Sequence, residues 1–517
     1  MSLCTQVSGF RSQVFALLLL VALPYLAGLR NGFVYDDHGS IEENAFLQNS
    51  ANVKQVLTLQ VLRDEHVLDG QRPVVVLSYF LDRAAWGLKP FGYHLTNLLL
   101  HLATVLSLFL LLRLLHSSCL PFFAALLFGL HPVLTEAVQC PAFREDLLIG
   151  LFGLLYLVAN FARGPVWPVL LQALALALAL GSKESAIVLP ALLVWMWICI
   201  PAARPAPRTA IAMFSVSVTL VAAYMMNSFM QRPLQAAGGV WNGLSLQFPA
   251  NLLTAPSLFH EYVRLLIWPH PLCVDRIIEP VLRLSEFRFV KGAFAMGLWA
   301  FLSLALVRRA PLVAFGMGWM LILFAPVSNL APLFNPMAER YLYFMVPGFV
   351  LVAVFLLLRT KASQVILPMI TALYIAMLML RLADWRNDVA LWTSTLEVEP
   401  SSARAHTWLG LDLKHQGQLQ EAAAHFERAN ELNPHDTTAL VNLAVMYGQK
   451  GDLVTAERLL REAIRQRPDK ADAHWNLAIA LIEQGRHAEA GKQIFKTLEA
   501  DPYHPQAAAL KRKMKQK

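Results

Sequence analysis

At 517 residues, 56% hydrophobic and only 15% charged, the chain is too apolar to be one soluble globule. The net charge of +8 does not argue for nucleic acid, because the basic residues sit in short stretches between apolar runs, where they report topology. In chain order, hydrophobic spans are predicted at Val14–Leu29, Leu95–Leu115, Leu120–Leu130 running into Thr135, Leu147–Ala162, Val166–Leu180 and Ala186–Ile200. Further spans are predicted at Ala210–Met226, Gly292–Val307, Leu312–Val327, Tyr341–Leu358 and Val365–Leu380. Several fall short of the roughly 20 residues a crossing helix needs, so their ends extend into polar flanks or lie against protein. Ser257–Trp268 carries Glu261 and Arg264 in an apolar pattern and reads as an interfacial or re-entrant helix.

Eleven crossings and an inside N-terminus put Arg11, Arg113, Arg163, Arg204, Arg208, Arg308, Arg309, Arg359 and Lys361 inside, with no Asp or Glu among them. This is a positive-inside pattern, and a full crossing at Ser257–Trp268 would break it. Val14–Leu29 could instead be a signal peptide cut near Ala27; either reading leaves Asp36 outside. The polar stretches Asn31–His94, His131–Asp146, Ser182–Ser185, Gln231–Lys291 and Ser328–Arg340 then gather on one outer face, together with everything after Leu380. Asp36-Asp37-His38, directly after the first apolar helix, is the most informative group there, since carboxylates at a bilayer surface are costly to place.

The tail has its own period. Pro400, Pro434, Pro468 and Pro502 recur every 34 residues, as do Gly417, Gly451 and Gly485, and Ala422, Ala456 and Ala490. Three tetratricopeptide (TPR) repeats over 400–504 are expected, stacking into a short solenoid whose concave face binds peptide, followed by a basic tail at 505–517. The fold class is therefore all-α: a polytopic helical membrane domain over 1–384, with its first external loop at 31–94, and then an α-solenoid.

Several stretches together resemble a known family. They are Phe33-Val34-Tyr35-Asp36-Asp37, Arg72-Pro73, Gly92-Tyr93-His94-Leu95-Thr96-Asn97, His131-Pro132-Val133 with Glu136-Ala137-Val138, and Arg144 with Asp146-Leu147-Leu148. Ser182-Lys183-Glu184, Glu339-Arg340-Tyr341-Leu342-Tyr343 and Asp384-Trp385 complete the set. The membrane half looks like a GT-C glycosyltransferase, and the whole chain resembles the transmembrane-and-TPR O-mannosyltransferases that modify cadherins. It departs from them at Cys140-Pro141-Ala142-Phe143 and in having three repeats where the animal proteins have more.

The resemblance implies inverting transfer of a sugar, mannose favoured, from a polyprenyl- or dolichyl-phosphate donor to a protein Ser/Thr hydroxyl. Such chemistry needs a base for the hydroxyl proton and cations for the departing lipid phosphate. Asp36 or Asp37 is the candidate base. In an extended stretch neighbouring side chains point opposite ways, so one would reach the acceptor while the other is structural. Arg144 is the first candidate for the phosphate, because a guanidinium grips phosphate oxygens bidentately, with Lys183 and Arg340 next. The alternative for those two is that each snorkels to the interface or pairs with the adjacent Glu184 or Glu339. His38, His94, His131, Glu136, Glu184 and Tyr341 are candidates for shaping the pocket, although His131 reads more readily as a satisfied structural histidine. His94 and His101 share one helix and fit packing better than ligation.

No metal or other cofactor is expected beyond the lipid-linked sugar as substrate. Membrane lipids, that donor and an acceptor or partner protein on the repeats are the expected partners, with no nucleic acid. Either a bacterial inner membrane with periplasmic repeats or the endoplasmic reticulum with lumenal repeats accommodates this topology. A non-catalytic TPR membrane scaffold is the alternative from another class, though an anchor alone would need only one or two spans.

Overall fold

A computed structural model describes residues 9–64, 67–231 and 248–501. Among these residues every regular element is a helix. Two compact units divide the described residues: one runs to Asn387 without residues 275–277, and those three group with 388–501.

In the first unit the labelled helices are α1 (Phe10–Tyr25), α2 (Pro73–Trp86), α3 (Pro90–Leu115), α4 (Leu120–Leu130), α5 (Thr135–Gln139), α6 (Arg144–Ala159) and α7 (Trp167–Leu180). They continue with α8 (Leu189–Cys199), α9 (Pro207–Gln231), α10 (Ala250–Ile267), α11 (Phe287–Ala305), α12 (Pro311–Phe324), α13 (Val346–Leu357) and α14 (Ser363–Asp384). Helices α2, α3, α4, α7, α8, α12 and α13 each open with proline in the first two positions. Its fixed φ suits the first turn, and its missing N–H costs nothing there.

Among the described residues five helices are long and apolar enough to cross a membrane: Phe10–Arg30, Pro90–Leu115, Pro207–Ser228, Phe287–Ala305 and Ser363–Asp384. The pair Leu120–Leu130 and Pro132–Gln139 makes a further candidate, bent by 51°. Its break lies at His131-Pro132, because proline cannot donate into the preceding turn. Four shorter apolar helices, Trp167–Leu180, Glu184–Cys199, Pro311–Val327 and Val346–Leu357, account for four of the remaining predicted spans, and α6 for the last. The expected interfacial helix at Ser257–Trp268 starts earlier, at Ala250, because Pro256 is accommodated inside α10.

Close packing depends on small residues at crossings. A Cβ on Gly316 of α12 would lie 2.6 Å from the Gly348 carbonyl of α13, and one on Gly348 as near the Gly316 carbonyl. The two backbones touch there, as small residues allow in apolar bundles.

The second unit holds α15 (Asp388–Val398) and three helical hairpins: α16 (Ala403–His415) with α17 (Leu419–Leu432), α18 (Thr437–Gln449) with α19 (Leu453–Gln466), and α20 (Ala471–Glu483) with α21 (His487–Ala500). Gly417, Gly451 and Gly485 take φ of 81°, 85° and 79° at the turn inside each hairpin, which is why glycine recurs there. The solenoid begins earlier than 400. Trp392 of α15 stands 34 residues before Phe426, in the same register as Leu460 and Ile494, and all four are buried. Helix α15 is thus the second helix of a half-repeat, stacking Trp392 against Trp408 with ring centroids 6.4 Å apart. Asp275 belongs to this unit, accepting from Ser402 Oγ at 2.6 Å and pairing with Arg404 at 3.3 Å. The basic tail at 505–517 lies outside the described residues.

Candidate active site

The acidic pair divides by environment, though not as an extended strand would divide it. Tyr35 turns the chain with a φ of 58°, and Asp36 and Asp37 then enter a short helical turn. Asp36 is exposed and Asp37 fully buried. Asp37 accepts from the Ala142 amide at 2.7 Å and the Cys140 thiol at 3.3 Å through Oδ1, and from the Val34 amide at 3.2 Å through Oδ2. Burial pushes its carboxyl up to about 7, against the lowering by the Ala142 and Val34 amides. The Cys140-Pro141-Ala142-Phe143 interruption is therefore the seat of Asp37, and Cys140 and Cys273 are both free thiols.

Arg144 is placed differently from expectation. Its side chain is wholly buried and pairs with Asp82 at 2.5 Å. It also donates to Asn97 Oδ1 at 2.8 Å, Ser78 Oγ at 3.1 Å and the Tyr93 carbonyl at 3.3 Å, against the Tyr79 ring at 5.3 Å. With no surface exposed, where Lys183 and Arg340 each keep 7%, Arg144 is not presented to a lipid phosphate, so the Arg144 assignment is corrected: it locks α2, α3 and α6 together.

Lys183 and Arg340 do come together, around Tyr341. Lys183 Nζ stands 5.3 Å and the Arg340 guanidinium carbon 5.2 Å from the Tyr341 ring centroid. Neither pairs with its sequence neighbour as the simpler reading had it. Lys183 pairs with Asp146 at 2.5 Å and reaches Glu145 at 3.9 Å. Arg340 pairs with the buried Glu136 at 2.5 Å and stacks 3.9 Å over the Phe143 ring. The Tyr35 ring meets that same phenyl ring at 5.6 Å, which brings the acidic turn beside Arg340. Glu184 pairs with Arg72 at 3.1 Å instead, and Glu339 with Arg381 at 3.4 Å.

The residues missed in the sequence are Asp69, Arg72, Glu145 and Asp146. Arg72 joins three segments, through Asp69 at 3.3 Å, Glu145 at 3.4 Å and Glu184 at 3.1 Å. Burial raises the Asp69 carboxyl to about 6, with Arg72 opposing and the Asp36 charge among those adding to the rise. Asp36 therefore lies within electrostatic reach of this network. The Arg72-Pro73 dipeptide was the only available signal, because its acidic partners come from distant segments.

The histidines serve the frame. His94 Nε2 donates to the Gly32 carbonyl at 3.2 Å, closing the ends of the first loop. His131 caps its own break, accepting from Val133 N at 3.3 Å while Nε2 donates to the Leu266 carbonyl at 3.0 Å. His101 bridges Tyr343 at 2.8 Å and the Gly129 carbonyl at 3.0 Å. His38 pairs with Glu42 at 2.7 Å on the surface. Among the described residues no three His, Cys, Asp or Glu side chains stand as a metal site.

The arrangement defines a class: a polytopic helical protein with a carboxylate and cation cluster among its loops, followed in the chain by a TPR solenoid. The tetratricopeptide-repeat family matches residues 403–436 and 448–514. Along most of its length the chain is similar to the protein O-mannosyl-transferases of the TMTC group. It is 25% identical to protein O-mannosyl-transferase TMTC3 of Mus musculus, over 95% of this chain and 64% of that protein. It is 26% identical to protein O-mannosyl-transferase F38B6.6 of Caenorhabditis elegans, over 81% of this chain and 63% of that protein. A shorter match, 36% identical over 32% of this chain and 20% of that protein, is to protein O-mannosyl-transferase Tmtc1 of Drosophila melanogaster. The chain thus spans less than two thirds of the length of these relatives. Among solved structures, ArnT from Cupriavidus metallidurans bound to undecaprenyl phosphate aligns over 90% of this chain and 81% of its own, at 13% identity and a TM-score of 0.43.

Proposed function

We propose that the chain is an integral-membrane glycosyltransferase of GT-C type. It moves a sugar, with mannose favoured, from a polyprenyl- or dolichyl-phosphate donor to a protein Ser/Thr hydroxyl, and its repeats bind the acceptor protein. The observation that carries this reading is an exposed carboxylate, Asp36, whose neighbour Tyr35 meets the same Phe143 ring that Arg340 stacks on, with Lys183 and Arg340 set about the Tyr341 ring. The sequence similarity to protein O-mannosyl-transferases supports the same reaction class.

Asp36 takes the proton from the acceptor hydroxyl as its oxygen attacks the anomeric carbon. The anomeric carbon–oxygen bond to phosphate breaks as the new glycosidic bond forms, with inversion, and the lipid phosphate leaves with the electron pair. Lys183 and Arg340 stabilise that developing charge, and Tyr341 holds them apart. Asp37 holds the Asp36 turn against Cys140–Ala142 and takes no proton from substrate. The outer face of a bacterial inner membrane, or the lumenal face of the endoplasmic reticulum, is where this site and the repeats would lie.

Purified protein in lipid nanodiscs, offered a panel of polyprenyl-phosphate sugars and a Ser/Thr-rich peptide, tests the proposal. Glycopeptide formed with one donor, and lost with Asp36→Asn, is expected. No transfer with any donor, while the repeats still retain a protein partner, would favour the scaffold reading.

A further inference from the structure

Helices α10 and α11 meet at one end and part along their length. At Gly292 a Cβ would lie 2.5 Å from the Pro256 carbonyl, so the backbones touch there. Beyond that contact a groove of about 260 Å³ opens, floored by Phe259, Val263, Ala295 and Trp299 and rimmed by His260 and Arg264. It stays open because Ala295 fills no space where a larger residue would.

Its surroundings fix what it meets. Phe294, Leu298 and Phe301 on α11 are 70%, 44% and 65% exposed, and α11 is one of the helices long and apolar enough to cross a membrane. The groove therefore flanks a lipid-facing surface, where hydrocarbon and not water is the available filling. The rim is cationic. Arg264 pairs with Glu261 at 2.6 Å and donates to the His270 carbonyl at 2.9 Å. Lys291, one helical turn before Ala295, adds a second positive charge, and burial, with the Lys291 and Arg264 charges outweighing Glu261, keeps His260 below its ordinary pKa. Trp268 ends α10 with half its surface exposed, as an aromatic residue at a headgroup level does.

The groove is separate from the candidate active site. Tyr262 points away from it on the other face of α10, buried in the field of Arg340, Tyr341 and Glu136.

We propose that the α10–α11 groove binds one acyl chain of an anionic glycerophospholipid, with the lipid phosphate at Lys291, since Arg264 is held by Glu261 and the His270 carbonyl. The groove supplies the chain contact, and the Lys291 charge supplies headgroup preference.

Native mass spectrometry of the full chain, released from nanodiscs holding equal phosphatidylglycerol and phosphatidylcholine of matched chains, tests this. The expected result is one retained phosphatidylglycerol at about tenfold preference, which corresponds to about 1.4 kcal/mol. Ala295→Phe should abolish retention, and Lys291→Gln should lower the preference several-fold while leaving the chain folded by thermal melt. Should Ala295→Phe fail to fold, Val263→Phe obstructs the same groove and gives the same readout. Equal retention of both lipids, or phosphatidylglycerol retained despite the filled groove, would overturn the proposal. Displacement of phosphatidylglycerol one-for-one by undecaprenyl phosphate would overturn it too, and assign the groove to the donor tail.

Discussion

Replacing each acid of the Asp36-Asp37 pair by asparagine should give two different failures. Asp36→Asn keeps the shape and one acceptor oxygen but cannot take a proton. A base contributes about 10²–10⁴-fold, so turnover should fall by that factor, or roughly 3–5 kcal/mol of barrier, with donor binding and melting temperature unchanged. Asp37→Asn acts on stability. A carboxyl carried by burial from 3.8 to about 7 is costlier to ionise in the fold by on the order of 4 kcal/mol at 1.36 kcal/mol per pKa unit. The sign follows from the raised pKa: the unfolded chain loses its proton first, so wild-type stability falls as pH rises from about 4 to about 7 and then levels off. Asparagine removes that slope, and at the same time weakens the hydrogen bond from the Ala142 amide, worth about 1.5–3 kcal/mol when the acceptor is charged. The melting-temperature difference between wild type and Asp37→Asn should therefore shrink in wild type's disfavour across pH 4–7, while transfer per folded molecule changes far less than in Asp36→Asn. The assay is transfer of labelled sugar from polyprenyl phosphate to peptide in nanodiscs, paired with melts at several pH values. If Asp37→Asn is the inactive variant with a pH-independent melting difference, and Asp36→Asn retains more than a tenth of wild-type turnover, the roles assigned here are wrong.

Arg144→Ala should cost about 3–5 kcal/mol of stability by stranding the buried Asp82 carboxylate, and donor affinity of the surviving folded fraction should not change; reduced affinity in that fraction would return Arg144 to the phosphate site. Arg340→Lys keeps the charge but loses the planar fork, so donor affinity measured by titration should fall about tenfold without loss of fold; unchanged affinity would shift the phosphate to Arg72. Gly316→Val should lower the melting temperature through overpacking of about 1–3 kcal/mol or more against Gly348, and an unchanged melt would show that α12 and α13 can part. An impermeant thiol reagent applied outside intact cells or sealed vesicles should label Gln416→Cys and spare Arg204→Cys; the reverse pattern would overturn the topology.

Some of this was legible in the sequence because one signal repeated itself. Prolines, glycines and alanines at a 34-residue step leave little freedom about what the tail forms, and even the half-repeat was marked by Pro400. The apolar runs likewise coincide with helices, because composition alone drives them. What could not be read is pairing over distance. Arg144 has the chemistry of a phosphate ligand, and only the fold reveals that Asp82, on another helix, already occupies it. Arg72 was marked only as half of a dipeptide and its role stayed hidden, since Glu145 and Glu184 reach it from two separate segments. Asp36 and Asp37 were indistinguishable as letters. Their difference arises from the left-handed turn at Tyr35, which replaces the alternation of an extended strand with a helical step.

The fastening of the first loop has a kinetic consequence. Asp37 holds its beginning to Ala142, Arg72 ties its middle to Glu145 and Glu184, and His94 joins its end to Gly32. Lifting the loop as a unit would also break the buried pair of Asp82, which belongs to the same segment, with Arg144, at about 3–5 kcal/mol, so fewer than roughly one molecule in a hundred would stand open at any instant, at 1.4 kcal/mol per tenfold. Such a segment is a fixed roof and not a gate. A ligand must enter through an aperture that already exists, and arrival becomes independent of any opening rate. Amide hydrogen exchange at Val34 and Ala142, both donors to Asp37, would read the same rare excursion.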